Sequence, residues 1–280
     1  MKEFPYIDIH THVNIAAFAD DWREVTDRSL SAGVAHINVG TQIDTAQKAI
    51  EIAEVYTEGV YAIVGLHPVH TSKSFHDPKE LGEGEDAKGF TSRGEVFDRD
   101  AYFAMASHKK VVAIGECGLD YYRLDADTLA LQRSAFIEQI ELANELGKPL
   151  MLHIRPGESG DAYGDAWEIL KTHAKVLGNV HFFAGTVDDA KRFFDIGYTI
   201  SVTGVITFTK DYDEVVAYAP LDMIHGETDA PYVAPKPYRG QRNEPIHVRE
   251  VYARIAEIKK ADPEEVRMQL RENARRLFRV

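Results

Sequence analysis

The sequence predicts an α/β fold, a (β/α)8 TIM barrel that forms a single domain over residues 1–280. About eight short apolar runs alternate with longer amphipathic runs, which is the rhythm of strand followed by helix. Polar residues close these runs from the first to the last, and a closed barrel brings all strand ends to one mouth. A doubly wound open sheet is the competing fold, but its first and last strands need not meet.

The strand-like runs are rich in β-branched and aromatic residues and are bounded by turn residues. We expect strands at Tyr6–His10, His36–Gly40, Tyr61–Leu66, Val111–Glu116, Pro149–His153, Asn179–Phe183, Tyr198–Val202 and Asp222–Glu227. Helical spacing predicts helices at Asp44–Tyr56, Thr128–Leu146, Asp188–Phe194, Asp211–Ala219, Val248–Lys260 and Pro263–Phe278. Asp44 and Asp262 are the predicted N-caps of two of these helices, and Gly147 is a predicted helix end.

One segment, residues 70–97, breaks the rhythm. It combines four glycines with many charges and little apolar periodicity, which is typical of a long loop. It begins three residues after His67, beyond the third predicted strand, so we expect its base to lie at the mouth where the strand ends meet. A lid or substrate selector, in which the acidic residues of the segment form a barrier, and a solvated insertion without a catalytic role are both open. The acidic residues are Glu80, Glu83, Glu85 and Asp86.

Composition narrows the class of protein. A net charge of −13 argues against a protein that coats nucleic acid. The charge is uneven, because residues 231–280 hold 12 basic and 7 acidic residues, so the net charge does not exclude an enzyme with a local basic patch. Cys117 is the single cysteine, which fits a reducing compartment, and we expect it in the core. No run approaches the roughly 18 apolar residues of a membrane helix, and the N-terminus does not resemble a signal peptide. We expect a cytoplasmic protein with no membrane contact and no obligate protein partner.

A pair of histidines closes the first predicted strand. His10 and His12 are two residues apart, so their side chains would point to the same side of a strand. Imidazole nitrogens are common ligands of zinc-like metals. Such a pair alone is more often a packing or surface feature. Its weight comes from four later runs that close on residues of the same ligand types: Glu116, His153, His181 and Asp229.

These four residues predict a two-metal centre. Glu116 ends a run that would be buried, where a carboxylate is costly unless it is paired or bound to metal. Its two oxygens can bridge two cations, and a pair with Arg123 is the alternative. His153 and His181 look like ligands of a second metal. Asp229 can bind the first metal and accept a proton from the attacking water. Two divalent ions about 3.5–4 Å apart suit hydrolysis of a phosphate ester.

With these residues in place, the chain resembles the TatD family of metal-dependent deoxyribonucleases, within the amidohydrolase superfamily. The matching segments span nearly the whole chain in order. They are Asp8-Ile-His-Thr-His12, Val64-Gly-Leu-His-Pro68, Ala113-Ile-Gly-Glu-Cys-Gly-Leu-Asp-Tyr-Tyr-Arg123, Lys148-Pro-Leu-Met-Leu-His-Ile-Arg155, His181-Phe-Phe-Ala-Gly185, Glu227-Thr-Asp-Ala-Pro-Tyr-Val-Ala-Pro235, Arg239-Gly-Gln-Arg-Asn-Glu-Pro245 and Asn273-Ala-Arg-Arg-Leu-Phe278.

The resemblance implies hydrolysis of phosphodiester bonds in DNA, often from a 3′ end. It implies two divalent metal ions as cofactors, with Mg, Mn or Zn as candidates, and DNA ends or short oligonucleotides as substrates. Some relatives resemble D-aminoacyl-tRNA deacylases, so hydrolysis of another ester or amide bond at the same site is the alternative. A nonenzymatic nucleic-acid-binding protein is a third class, which the intact ligands and the acidic charge disfavour.

The resemblance also implies a role for each site residue. The implied ligands of one metal are His10, His12 and Asp229, Glu116 bridges, and His153 and His181 bind the second metal. Asp229 is the predicted general base, and with Glu116 it forms the catalytic pair. His67 matches a histidine near the substrate, and Glu227 is expected to orient the site from behind.

Four basic residues in the loops after the fifth and last predicted strands are the candidates for holding substrate phosphates: Arg155, Lys236, Arg239 and Arg242. The alternative is that Arg239 and Arg242 pair with local acids such as Glu244 and only shape the loop. The chain also departs from the family pattern. Phe182 and Ala184 stand where the family usually has a cysteine and a serine, which makes that wall of the site more apolar.

Overall fold

The computed structural model describes residues 3–73, 75–76, 90–122, 126–158 and 160–280, and its main sheet is a parallel barrel. The strands in these ranges are β1 (Tyr6–Thr11), β2 (Val34–Val39), β3 (Val60–Val64), β4 (Phe75–His76), β5 (Phe90–Thr91), β6 (Val111–Asp120), β7 (Leu150–Arg155), β8 (Gly178–Val180), β9 (Thr199–Val202) and β10 (Ile224–Gly226). Eight of them form one sheet in the order β1-β2-β3-β6-β7-β8-β9-β10, with parallel pairing throughout. The predicted fold class is confirmed.

Backbone hydrogen bonds nearly close this barrel at its carboxyl end. The N–H of Asp229, just after β10, donates to the carbonyl of His10 on β1 at 2.9 Å. The N–H of His12 donates to the carbonyl of Ala230 at 2.8 Å. The first and last strand ends therefore meet, as predicted from the polar residues that close the first and last apolar runs.

Helices follow most strands and cover the outer face of the sheet. They are α1 (Trp22–Ser31), α2 (Ile43–Val55), α3 (Arg99–Ala106), α4 (Ala126–Leu146), α5 (Ala162–His173), α6 (Val187–Asp195), α7 (Asp213–Tyr218), α8 (Val248–Lys259) and α9 (Pro263–Phe278). The larger apolar cluster joins alternate strand residues such as Val60 and Ala62 to helix residues such as Ala49 and Ala53. This two-sided burial explains why the strands read as nearly continuous apolar runs.

A smaller apolar cluster involves the opposite faces of these strands, with Ile9, Ile37 and Met151 among its buried residues. Phe278 of α9 belongs to the same cluster. The side-chain amide of Asn273, also on α9, donates to the carbonyl of Ile224 at the start of β10 at 2.9 Å. The last helix thus packs at the amino end of the barrel, away from the end where the polar residues gather.

Several sequence-based boundaries need correction. Helices α1, α3 and α5 were not among the predicted ones, and α1 shows why, because its buried positions include Thr26 and Ser29 and so weaken the apolar period. Asp44 is not the N-cap of α2, which begins at Ile43. The hydroxyl of Thr45 accepts from the N–H of Gln42 at 3.1 Å and so starts the helix earlier. The Asp262 cap of α9 is confirmed.

The strand ends also differ from the predictions in ways that matter for the site. β7 continues to Arg155, two residues past its predicted end, and β8 ends at Val180, so that His181 lies in the loop that follows. Gly118 on β6 has a φ of 140°, and a Cβ there would lie 2.1 Å from the carbonyl oxygen of His153. This glycine, which lies between Glu116 and Asp120, allows β6 to approach β7 closely at His153.

Two expectations fall on residues outside the described ranges. Half of the proposed lid within residues 70–97 is in this category, since residues 74 and 77–89 are not described. β4 and β5, which lie on either side of 77–89, form an antiparallel pair. The suggested partner of Glu116, Arg123, is likewise not described. Cys117 is fully buried in the larger apolar cluster, as expected. Among the described residues, no helix has the length and apolar character needed to span a membrane.

We predict that Gln139 on α4 stabilises the barrel beside the site. Its buried side chain accepts from the N–H of Leu66 at 2.8 Å and donates to the carbonyl of the same residue at 3.0 Å. Gln139→Ala leaves both buried backbone groups without these partners, so the free energy of unfolding should fall by about 1–3 kcal/mol. Chemical denaturation measures this. Glu141→Ala, at an exposed position of the same helix, is the control, and equal midpoints for the two variants would contradict the prediction.

Candidate metal centre

A buried carboxylate lies at the centre of the site. Glu116 on β6 is only 3% exposed, and its Oε1 lies 3.2 Å from His67 Nε2, 2.9 Å from His153 Nδ1 and 3.0 Å from His181 Nε2. These histidines come from the loop after β3, from β7 and from the loop after β8. Three separate parts of the barrel therefore converge on one oxygen atom.

The other oxygen of Glu116 is the centre of a second group. Its Oε2 lies 3.3 Å from His10 Nε2 and 3.8 Å from His12 Nε2. Oδ1 of Asp229 lies 3.3 Å from the same atom of His12, and the two Nε2 atoms are 3.2 Å apart. The structure thus brings together all six residues that the sequence predicts as metal ligands, in two groups that share Glu116.

The electrostatics of the site follow from this crowding. Burial alone would raise the pKa of Glu116, but His181, His67 and His10 hold it well below its usual range. Burial would lower the pKa of His181, whereas Glu116 and Glu227 raise it well above that of a free histidine. The pKa of His67 falls to about 4, chiefly through burial and then through His153. The central carboxylate is therefore ionised, and His67 is neutral at physiological pH.

Glu227 lies behind the site, as the family resemblance implies. Its Oε1 lies 3.2 Å from His181 Nδ1 and accepts from the N–H of Phe182 at 2.7 Å. Its Oε2 accepts from the hydroxyl of Ser201 at 2.7 Å. A carboxylate on the far nitrogen fixes the orientation of the imidazole, so that Nε2 of His181 faces Glu116.

Asp120 has the same relation to His153, although it is not among the site residues predicted from the sequence. Its Oδ2 lies 2.9 Å from His153 Nε2, which leaves Nδ1 directed at Glu116. The backbone of Asp120 is held in turn by the side chain of Gln132. A signal was available, because Asp120 follows Glu116 by four residues on one strand, and an even spacing favours the same side.

Asp8 is a third buried support, also missed. It accepts from the backbone N–H of Thr228 at 2.9 Å and from its hydroxyl, and from the N–H of His10 at 3.3 Å. Thr228 precedes Asp229, whose φ of 53° is one that aspartate tolerates better than most residues. The contact therefore ties the strand that carries the first histidines to the loop that carries Asp229.

The basic candidates for phosphate binding differ in their surroundings. Arg155 extends from the end of β7 with its guanidinium 4.0 Å from the ring centre of Tyr122, and none of the described acidic side chains pairs with it. Arg242 instead makes a bidentate ion pair with Asp21, in which its Nη1 donates to Oδ1 at 3.0 Å and its Nη2 donates to Oδ2. The guanidinium of Arg239 lies 4.0 Å from the ring centre of Phe208.

For Lys236, the described residues offer no ion-pair partner, and its backbone N–H donates to Thr207. The alternative weighed for Arg242, a loop-shaping ion pair, agrees with its observed contacts. Its main partner is Asp21, and Glu244, which also pairs with Arg28, lies 3.7 Å from its Nη2. Burial of Arg242 against Phe18 supports the same role.

The chemistry of these residues fits a divalent metal. Three sets of buried or partly buried side chains present ligand atoms within 4.8 Å of one another: His10, His181 and Asp229; His10, His12 and Glu116; and His67, Glu116 and His153. Imidazole nitrogen with carboxylate oxygen is the donor set of zinc and manganese sites rather than of calcium sites. The far nitrogens of His12, His153 and His181 are held by a carbonyl or a carboxylate, as is usual for metal ligands.

Comparison with known proteins relates this chain to one family of metal-dependent hydrolases. The family model described as TatD related DNase matches residues 7–279. The chain is 35% identical to the uncharacterized metal-dependent hydrolase YabD of Bacillus subtilis, with 98% of each chain covered. It is 31% identical to the protein named 3′-5′ ssDNA/RNA exonuclease TatD of Yersinia pseudotuberculosis, with 98% of this chain and 99% of that one covered.

The fold comparison agrees with the sequence comparison. The crystal structure of YjjV, a TatD homologue from Escherichia coli K12, matches with a TM-score of 0.78 and 28% identity over the whole of both chains. A family model that covers nearly the entire sequence, together with a relative at 35% identity over 98% of its length, settles membership. The chain belongs to the TatD family.

Proposed function

We propose that this protein is a metal-dependent phosphodiesterase that removes nucleotides from the 3′ ends of single-stranded DNA or short oligonucleotides. The observation that carries the proposal is the shared carboxylate, Glu116, with ligand atoms grouped at each of its two oxygens. The relative named as a 3′-5′ ssDNA/RNA exonuclease supports the substrate class.

We assign six residues to two divalent metals, with Glu116 common to both. His10, His12 and Asp229 would hold the first metal, and His153 and His181 the second. A pair of such ions supplies Lewis acidity, which lowers the pKa of water and stabilises charge on a phosphoryl group. Mg, Mn and Zn are the candidates, and the histidine content favours Mn or Zn over Mg.

Asp229 is the better placed of the two carboxylates to take a proton from water. Its side chain is 11% exposed at the mouth, whereas that of Glu116 is 3% exposed and contacted by histidines on both oxygens. Burial raises the pKa of Asp229, but His12, His181 and His10 lower it below its usual range. The carboxylate is therefore ionised and can accept a proton as the water attacks phosphorus.

The mouth offers a cation to the substrate on the side of β7. His153 and Arg155 are the partly exposed residues at the end of this strand, and the intervening Ile154 is buried. Arg155 therefore opens to the same side as the metal centre. We assign Arg155 and Lys236 to substrate phosphates and Arg242 to shaping the loop through Asp21. His67, neutral and beside Glu116, would contact the substrate or the attacking water.

The direct test is hydrolysis by the metal-loaded protein. We expect it to shorten 3′-ended single-stranded DNA, and Asp229→Asn to lower kcat by roughly 10²-fold or more, because the variant loses the proton acceptor. KM should change much less. The measurement is release of mononucleotides over time, with the folding of the variant checked by its thermal midpoint and with metal content measured for both proteins.

The controls separate the alternative function. A panel of carboxylic esters and D-aminoacyl-tRNA is assayed with the same metal-loaded protein. Turnover of a panel member with no release of nucleotides would contradict the phosphodiesterase and favour a deacylase-like hydrolase. Near-normal kcat in a folded Asp229→Asn protein with full metal content would contradict the role of this residue while leaving the function in place.

A second prediction concerns phosphate binding. Arg155→Ala should raise KM for the oligonucleotide and reduce the slope of log(1/KM) against log salt, because one phosphate contact is lost. Arg242→Ala is the matched control, since its guanidinium already pairs with Asp21. We expect a destabilised loop in that variant but an unchanged salt slope. The assignment fails if both variants keep the salt slope of the wild type.

A further inference from the structure

Phe182 has an unusual backbone conformation beside the metal centre. It directly follows His181 and has a φ of 42°, in the left-handed region that bulky side chains rarely adopt. Such strained residues persist only where surrounding contacts hold them, and they are concentrated at ligand-binding positions. The contact here is the hydrogen bond from the N–H of Phe182 to Oε1 of Glu227. The carboxylate that orients His181 therefore also holds the backbone from which the phenyl ring extends.

The phenyl ring does not serve the core of the described part of the chain. Phe182 is half-buried and is not a member of the apolar clusters formed by the described residues, whereas the next residue, Phe183, is buried in the larger one. The ring lies edge-on to that of His181, with 6.1 Å between centres. An aromatic surface is thus held at the mouth beside a predicted metal ligand.

A cation lies on the neighbouring strand. β7 and β8 are adjacent, and Leu152 pairs with Val180 in their register. Arg155 lies three residues after Leu152, at the end of β7, and Phe182 lies two residues after Val180, in the loop that follows β8. The two side chains therefore extend from the ends of neighbouring strands. An aromatic ring at one strand end and an arginine without a described acidic partner at the adjacent strand end match the two parts of a nucleotide. The ring suits the face of a base, and the guanidinium suits a phosphate.

We propose that Phe182 is a specificity-determining residue that stacks on an unpaired nucleobase of the substrate strand while Arg155 contacts a nearby phosphate. This inference rests on the proposed phosphodiesterase function. Stacking on an aromatic side chain tolerates any base but needs a base that is unpaired. The chain should therefore favour single-stranded ends that carry bases over an equally charged backbone that lacks them.

Two oligonucleotides of equal length and phosphate number test this. One carries thymine at every position, and the other carries abasic tetrahydrofuran residues at its 3′-terminal positions. The metal-loaded wild type should cleave the first with a kcat/KM higher by about tenfold or more. Phe182→Gly should reduce this preference to less than about twofold, with nearly all of the loss on the base-carrying substrate.

The glycine variant keeps the test decisive. Glycine adopts a φ of 42° without strain, so the variant should fold with an unchanged or higher Tm and bind the same amount of metal. Phe182→Trp should retain the preference for bases. Phe182→Leu, apolar but not aromatic, should lose most of it.

Two outcomes overturn the inference, and they can be told apart. In the first, Phe182→Gly keeps the preference of the wild type, whether kcat/KM is unchanged or falls equally on both oligonucleotides. The ring then does not stack on bases, although the proposed phosphodiesterase function is retained. A wild-type protein that cleaves neither oligonucleotide under conditions of full metal loading removes the proposed function and this inference with it.

Discussion

The structure depends on one buried carboxylate that is surrounded by imidazoles. An isolated ionised carboxylate in the interior would be expensive, since burial favours its neutral form. Glu116 is nevertheless held ionised, because histidine nitrogens from four different parts of the barrel approach its two oxygens. These histidines would in turn be poorly accommodated without the charge. The carboxylate and the surrounding histidines therefore stabilise each other, and a bound metal would share the same electrostatic environment.

The barrel holds the predicted metal ligands in place because the carboxylates that contact them or their loops are themselves buried and hydrogen-bonded. Glu227 and Asp120 hold the far nitrogens of His181 and His153. Asp8 ties β1 to the residue before Asp229, where the barrel nearly closes. A ligand set held by its own second layer of hydrogen bonds loses little entropy when a metal binds, which is the physical advantage of such an arrangement.

The sequence predicts the barrel and all six converging residues because each lies at or just after an apolar run, and parallel strands bring such positions together. It also contains a local signal for Asp120, through its even spacing from Glu116. It contains no local signal for the contacts between Asp8 and Thr228 or between Glu227 and Ser201, since these residues meet only after folding. The conformation of Phe182 is unpredictable for the same reason. Helix α1 was missed because serine and threonine occupy its buried face.

The central claim is that Glu116 is shared by two metals, and anomalous diffraction tests it most directly. Crystals of the protein loaded with Mn or Zn are measured above the absorption edge of the metal, alongside crystals of the Glu116→Gln variant. The account predicts two anomalous peaks in the wild type, one near each Glu116 oxygen, and the loss of at least one peak in the variant. Two fully occupied peaks in Glu116→Gln, or wild-type peaks away from this side chain, would contradict it.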